Sequence, residues 1–273
     1  MQTRNSAATR RNSFLAKRGA LCLGISWLTV LATIAAPVVA EPSPEEARVA
    51  AERTKTLDRQ IEEFTRQLEQ DPQRIELYSQ RGDAQFFRGR FADAVADYEK
   101  MVELEPKLET SHWRRGIAYF YAGQFKDAAH QFEIYHTFDD VDRENGIWRF
   151  FSQAKAYGVE KAREGLLKYR KDDREPFPAL YGLFAGTITA EEILKTIHEA
   201  KLDADEREKR LFYAELYIGL NEAVTGDPQA ALPPLRRAVE NTWGPKAGYG
   251  PHYMWQVGRL QLELLEKQRA TRP

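Results

Sequence analysis

The sequence predicts an all-α chain of stacked antiparallel helix pairs, a helical solenoid, and three observations predict it. Two stretches, "QRGDAQFFRGRFADAVADY" over 80–98 and "RRGIAYFYAGQFKDAAHQF" over 114–132, align position for position at a spacing of 34 residues. A fixed period of that length marks stacked repeats, each one a supersecondary unit. Apolar residues recur every three or four positions, the spacing of a helix face, and no segment alternates with period two long enough for a strand.

In chain order, the N-terminus comes first. The first 40 residues carry five basic groups (Arg4, Arg10, Arg11, Lys17, Arg18) and none of the 41 acidic ones. The apolar run "LCLGISWLTVLATIAA" follows, then "PVVA" with small residues at Val38 and Ala40. This is the pattern of a secretory signal, with cleavage expected after Ala40. An uncleaved membrane anchor is the alternative, since the run is nearly long enough to span. "TRRNSFLAK" is close to a twin-arginine signal but places Phe14 one position late, so that route and the general secretory route both stay open. Cys22, the only cysteine, follows Leu21 where a lipoprotein site wants a small residue. A mature chain would then hold no thiol, hence no disulfide, thiolate metal site or cysteine nucleophile. The chain after residue 40 is mildly acidic, which argues against nucleic acid as a partner.

The expected organisation is a signal over 1–40, capping helices over 41–74 and two clear repeats over 75–142. Degenerate helical pairs follow over 143–205, then a C-terminal repeat and closing helix over 206–273. Within 41–74, "EEARVAAERTKT" and "LDRQIEEFTRQLEQDPQR" read as a leading helix and a second helix. In the two clear repeats Gly82 and Gly116 sit mid-helix, where glycine costs about 1 kcal/mol against alanine. That cost is tolerable where a second helix approaches the backbone. Gly89 and Gly123 fall where a left-handed cap ends the first helix. Phe91, Ala94, Tyr98, Met101 and Val102 form one apolar face of a second helix, and Pro106 ends the unit. After Asp142 the pattern loosens. "NGIWRFFSQAKAYG" with "EKAREGLLKYRK", and "FPALYGLFAG" with "AEEILKTIHEAK", read as two further pairs, Thr189 starting the last helix. Gly219, Gly226, Ala231, Leu235 and Ala238 restore the signature, with a kink or late start expected at Pro233 and Pro234. "YGPHYMWQVGRLQLELLEK" closes the chain with Met254, Val257, Leu260 and Leu264 on one face.

These residues resemble the tetratricopeptide repeat: a small residue mid-helix A, an aromatic after the turn, alanine early in helix B, an aromatic four later and a closing proline. The second unit lacks that proline. The resemblance implies a scaffold, and function must be argued from its surface. In such arrays certain positions of helix A line the concave face. Counted from Ile75 and Glu109, they are Glu76, Ser79, Asp83, Phe86 and Phe87, and Thr110, Trp113, Ile117, Phe120 and Tyr121. The expected partner groove is Asp83, Phe86, Phe87, Trp113, Ile117, Phe120 and Tyr121; packing of these aromatics against a neighbouring repeat or an N-terminal helix is the alternative. Ser79, Asp83 and Ile117 depart from a clamp for a C-terminal carboxylate.

Signs of catalysis are sparse. His112, His130, His136, His198 and His252 make no paired-ligand spacing, and no glycine-rich phosphate loop or nucleophile turn appears. His112 reads as a core residue. His136 with Asp139, Asp140 and Asp142 is the one cluster a metal-dependent hydrolase could use; a solvated helix end is the plainer reading. We expect no catalytic residues, no metal and no cofactor.

The order "IWRFFSQAKAYGVEKAREGLLKYR", "FPALYGLFAGTITAEEIL", "FYAELYIGLNEAVTGDPQAALPPLRRAVEN", "YMWQVGRLQLELL" is similar to the periplasmic new lipoprotein I (NlpI-type) family, over roughly Ile75 to Leu265. That resemblance implies a homodimeric envelope adaptor that docks cell-wall hydrolases or a processing protease. The family is lipid-anchored and this chain lacks the lipid-attachment signature; Ala214 and Glu215 also depart from its pattern. The function expected is thus an exported, non-enzymatic protein-binding scaffold of the cell envelope, with a possible homodimer and no stable membrane insertion after cleavage. A membrane-anchored assembly factor and a metal-dependent hydrolase are the alternatives.

Overall fold

A computed structural model describes residues 43–171 and 173–271. The expected signal, its cleavage site and Cys22 lie outside the described residues. Among the described residues there are twelve α-helices and no strand, and no helix is long and apolar enough to cross a membrane. The fold is all-α and repeat-like, compatible with tetratricopeptide pairs.

The first helix, α1 (Pro44–Gln70), is continuous over 27 residues. The expected break between a leading and a second helix is absent, because no glycine or proline interrupts the chain between Pro44 and Pro72. Two pairs follow: α2 (Ile75–Phe87) with α3 (Phe91–Leu104), and α4 (Trp113–Tyr121) with α5 (Phe125–Phe138). Helix α4 begins at Trp113, not at Glu109, since Pro106–Leu108 form a 3-10 turn and His112 caps the helix.

The repeat signature does what its spacing implies. A Cβ added at Gly82 would stand 2.6 Å from the Tyr98 ring, and one at Gly116 would stand 2.6 Å from the Phe132 ring. Each glycine is thus the socket for the aromatic sixteen residues later. Tyr98 and Phe132 are almost fully buried, worth roughly 1.5–3 kcal/mol for each phenyl-sized side chain. Gly89 and Gly123 have φ of 82° and 78°. They let the Arg90 and Gln124 amides reach back to the Gln85 and Tyr119 carbonyls at 2.8 and 2.9 Å, closing helices α2 and α4. Arg81 pairs with Asp97 through two bonds of 2.9 and 2.7 Å. At the equivalent place Arg115 donates to Gln131 at 2.6 Å.

Beyond α5 lie α6 (Arg143–Tyr157), the short α7 (Val159–Glu164), α8 (Phe177–Ala185) and α9 (Ala190–Glu199). The second helix expected through "EKAREGLLKYRK" stops at Glu164, and the described residues from Gly165 to Pro176 form a non-helical strap. Side chains hold that strap. Tyr169 donates to the Asp142 carbonyl at 3.0 Å and Tyr181 donates to the Leu167 carbonyl at 2.7 Å. Arg149 donates to the Gly165 carbonyl. Thr189 and Glu192 form a reciprocal capping box at the start of α9, as the sequence implies.

Helices α10 (Ala204–Thr225) and α11 (Pro228–Glu240) restore the repeat, with Leu235 over Gly219 at 2.6 Å. Pro233 and Pro234 lie inside α11, which begins five residues before them, so the expected late start does not occur. The two carbonyls they deprive of a donor belong to Gln229 and Ala230, both exposed, where water can substitute. Last comes α12 (Tyr249–Ala270). It packs on α10 and α11 and returns to touch α2. On its expected apolar face Met254, Val257 and Leu260 are buried; Leu265 is buried more deeply than Leu264.

Candidate functional site

Helices α2 and α4 stand side by side and present one face to the first turns of α12. Asp83 lies at its centre. Its Oδ1 accepts from the Tyr98 hydroxyl at 2.6 Å and from Arg114 at 2.6 Å, and its Oδ2 accepts from the Tyr249 hydroxyl at 2.9 Å. Arg114 also donates to Ser79 at 2.9 Å and lies over the Tyr98 and Tyr249 rings at 5.4 and 5.7 Å. It therefore ties the second repeat to the first. Burial is the largest single influence on Arg114 and would loosen its proton, but Asp83 and the neighbouring phenols together hold it more firmly than in water.

The expected groove residues divide into two groups. Asp83, Phe86, Phe87 and Trp113 meet around Tyr253 of α12. Its ring lies 4.8 Å from Phe87, 4.9 Å edge-on to Trp113 and 5.9 Å in a stack with Phe86. Phe86 is fully buried by this contact and its neighbours. Ile117, Phe120 and Tyr121 turn toward the rest of the core. Phe120 packs edge-on to Trp148 of α6 at 5.6 Å, and Tyr121 sits between Phe86 and Phe91 at 5.3 Å from each. Ile117 is 1% exposed and Phe120 8%, so neither offers surface to a partner in this conformation.

The closing helix covers Phe86, Phe87 and Trp113, while neighbouring pairs cover Phe120 and Tyr121. Sequence reasoning missed Tyr249, Tyr253 and Arg114. The signal was the pair of tyrosines four apart in "YGPHYMW", which extends the Val257–Leu260 face of α12 toward its start.

His112 is a buried cap. Its Nδ1 accepts from the Arg115 amide at 3.2 Å, its Nε2 lies 3.5 Å from the Met101 sulfur, and its ring packs on Tyr98 at 4.9 Å. Burial first, then Arg114 and Arg115, push its pKa down to about 3. The His136 cluster is divided among separate tasks. Asp139 accepts from the Val141 and Asp142 amides, and Asp142 caps α6 through the Glu144 amide. Asp140 faces Lys171 at 3.5 Å, and His136 packs edge-on to Tyr169. Among the described residues no group of three His, Cys, Asp or Glu is placed to hold a metal ion.

A second polar centre joins the strap to α6 and α10. Arg174 reaches Asp142 at 3.4 Å, Asp173 at 3.2 Å and Glu144, and lies 4.1 Å over the Phe177 ring. Tyr217 donates to Glu144. Three carboxylates share one guanidinium. Burial first, then the adjacent Glu144 charge, push the Asp142 carboxyl up to about 7, and burial raises Glu144 too. Every member has a structural partner, so the cluster reads as a fastening of the strap.

Residues 44–143 match the bacterial transcriptional activator domain family. The stretch runs from the start of α1 to the first residue of α6 and covers fewer than half of the 273 residues. It is similar to that domain, and it holds α1 with the two regular pairs. No curated protein matches the chain.

Proposed function

We propose that the chain is a non-enzymatic, protein-binding scaffold that seats a helical segment of a partner on the α2–α4 face. One observation carries the reading: that face already accepts a helix. Tyr253 sits between Phe87 and Trp113, and Tyr249 bonds Asp83 at 2.9 Å. Aromatic anchors with an arginine beside them have the composition of binding hot spots. The similarity of residues 44–143 to a domain of transcriptional activators supports a helical interaction module in a regulatory setting.

The narrower reading is an exported adaptor of the cell envelope, of the NlpI type, with a cell-wall hydrolase or protease as partner. It rests on the basic, apolar and small-residue order of the first 40 residues and on the order of the later segments. Mass spectrometry of the protein purified from its host tests export: a mature start at Glu41 is expected, and an intact N-terminus would remove the secreted form.

The scaffold itself is tested by capture from host extract, comparing the chain with Trp113→Ala. Trp113 is half-buried, so helicity by circular dichroism should be unchanged. A protein held by the native chain and lost from the variant supports the face as the binding surface. Equal retention would place binding elsewhere.

A further inference from the structure

The closing helix holds the rest of the molecule in two unlike ways. Toward α10 and α11 its contacts are apolar and close. A Cβ added at Gly258 would stand 2.8 Å from Leu216, and Val257, Leu260 and Leu265 are buried. Trp255 donates to the Val239 carbonyl at 2.9 Å. Toward the first repeats the contacts are aromatic and polar. Tyr249 is 58% exposed, so its bond to Asp83 and its stacking on Arg114 face solvent. Further along, Glu263 answers two arginines, Arg53 of α1 and Arg259 of α12 itself. Burial first, then Arg53, lowers Arg259 to about 10. The approach to α12 is a glycine- and proline-bearing connection, "NTWGPKAG" over 241–248, containing only the 3-10 turn Gly244–Lys246.

We infer that the first turns of α12 are an intramolecular stand-in for the partner: the α2–α4 face recognises a helix with aromatic residues four apart, the outer one bearing a hydroxyl for Asp83, and a partner helix of that chemistry binds by displacing Tyr249 and Tyr253. This rests on the scaffold reading above and adds to it the chemistry of the partner and the device that regulates access. The geometry fits the division of contacts. Displacement costs the solvent-facing contacts of Tyr249 and uncovers the buried Tyr253 ring, and it leaves the apolar anchorage on α10 and α11 in place. A tethered competitor acts at the high local concentration its short connection imposes. Free ligand therefore binds with an affinity reduced by the fraction of molecules that are open. The Asp83 oxygen sets the specificity, since a helix with phenylalanine at the outer position would leave Oδ2 without its donor.

The test uses the whole chain and a labelled synthetic peptide of this protein's own sequence from Tyr249 to Ala270, read by fluorescence anisotropy. The expected result is binding to the Tyr249→Ala chain at least tenfold tighter than to the native chain, abolished when Trp113→Ala is added. Tyr249→Phe, which removes only the hydroxyl, should give an intermediate gain and faster amide exchange in Tyr249–Val257 with α10 and α11 unchanged. Equal affinity for native and Tyr249→Ala chains, no binding to either, or binding indifferent to Trp113→Ala would overturn the proposal. A chain that captures a host protein through Trp113 but treats the peptide alike with and without Tyr249 would keep the scaffold reading and lose this one.

Discussion

The two regular pairs, α2–α5, and the region from α6 through the strap to α8 are fastened by opposite means. In the first, shape decides: a glycine opens a socket, an aromatic sixteen residues on fills it, and a left-handed glycine turns the chain for the next helix. In the second, the socket at Gly146 is filled by ring ends, Tyr169 Oη of the strap at 2.6 Å and Tyr181 of α8 at 2.9 Å, and Arg174 with three carboxylates holds the strap in place. Shape is insensitive to pH and salt. Charge is not. One protein thus carries a region held first by shape, with His112 as its displaced titration, and a neighbour held first by charge.

The largest test of this contrast is a pair of socket substitutions. Gly116→Val drives a side chain into the buried Phe132 ring, which has nowhere to go, and should cost about 3 kcal/mol in urea unfolding. Gly146→Ala meets the tips of two half-buried rings and should cost about 1–2 kcal/mol. Equal losses would mean the strap is as rigid as a repeat.

Next come the two displaced titrations, which have opposite signs. His112 is held neutral with a folded pKa of about 3 against an ordinary 6.5, so its contribution is whole above pH 6.5 and is lost as pH falls toward 3. Asp142 is raised to about 7 from 3.8. Its contribution is whole below pH 3.8 and is lost as pH rises toward 7. Between about pH 4 and 6.5 the two offset one another. Asp142→Asn keeps the helix cap and should gain roughly 2 kcal/mol relative to the native chain between pH 5 and pH 8. His112→Asn should instead gain a similar amount on going from pH 7 to pH 4. Parallel pH curves for the native chain and Asp142→Asn would remove charge as the strap's fastening.

Smaller again is Gly123→Ala. Nothing lies within 4 Å of the new methyl, so the cost is backbone strain at φ 78° alone, about 1 kcal/mol. The smallest effect expected is Asp97→Gln, under about 1 kcal/mol. Burial pushes the Asp97 carboxyl up more than Arg81 pulls it down, and the second repeat already places Gln131 there, bonded to Arg115. A loss above about 2 kcal/mol would show that the two repeats are not interchangeable at this position.

What could be read in advance follows the same division. Gly82, Gly116, Tyr98 and Phe132 were legible because shape complementarity demands fixed residue types at fixed spacing. The Thr189–Glu192 cap was legible for the same reason. The Arg174 cluster was not, since it joins Arg174 to Asp142 and Glu144, 32 and 30 positions earlier, and Glu144 to Tyr217, 73 positions on, with no periodicity. Of the expected groove, Asp83, Phe87 and Trp113 lie on one face, around Tyr249 and Tyr253 of α12. That Phe86, Ile117 and Phe120 would be covered could not be read from helix A alone, because the cover comes from α6 and from the far end of the chain. The strap was misread as a helix because "LLKYR" has helical composition; Tyr169 is drawn instead into the Gly146 socket.

The contact between Tyr249 and Asp83 joins residues 166 positions apart, and this has a consequence in time. Helices α2 and α4 can pair as soon as they leave the ribosome, but their cover is among the last segments made. At roughly 5–20 residues per second, Trp113 and Phe87 stay bare for about 7 to 30 seconds in every round of synthesis. During that interval the aromatic floor is open to whatever helix is nearby, so the newborn chain is the form in which the protein is most receptive to a partner and most exposed to a wrong one.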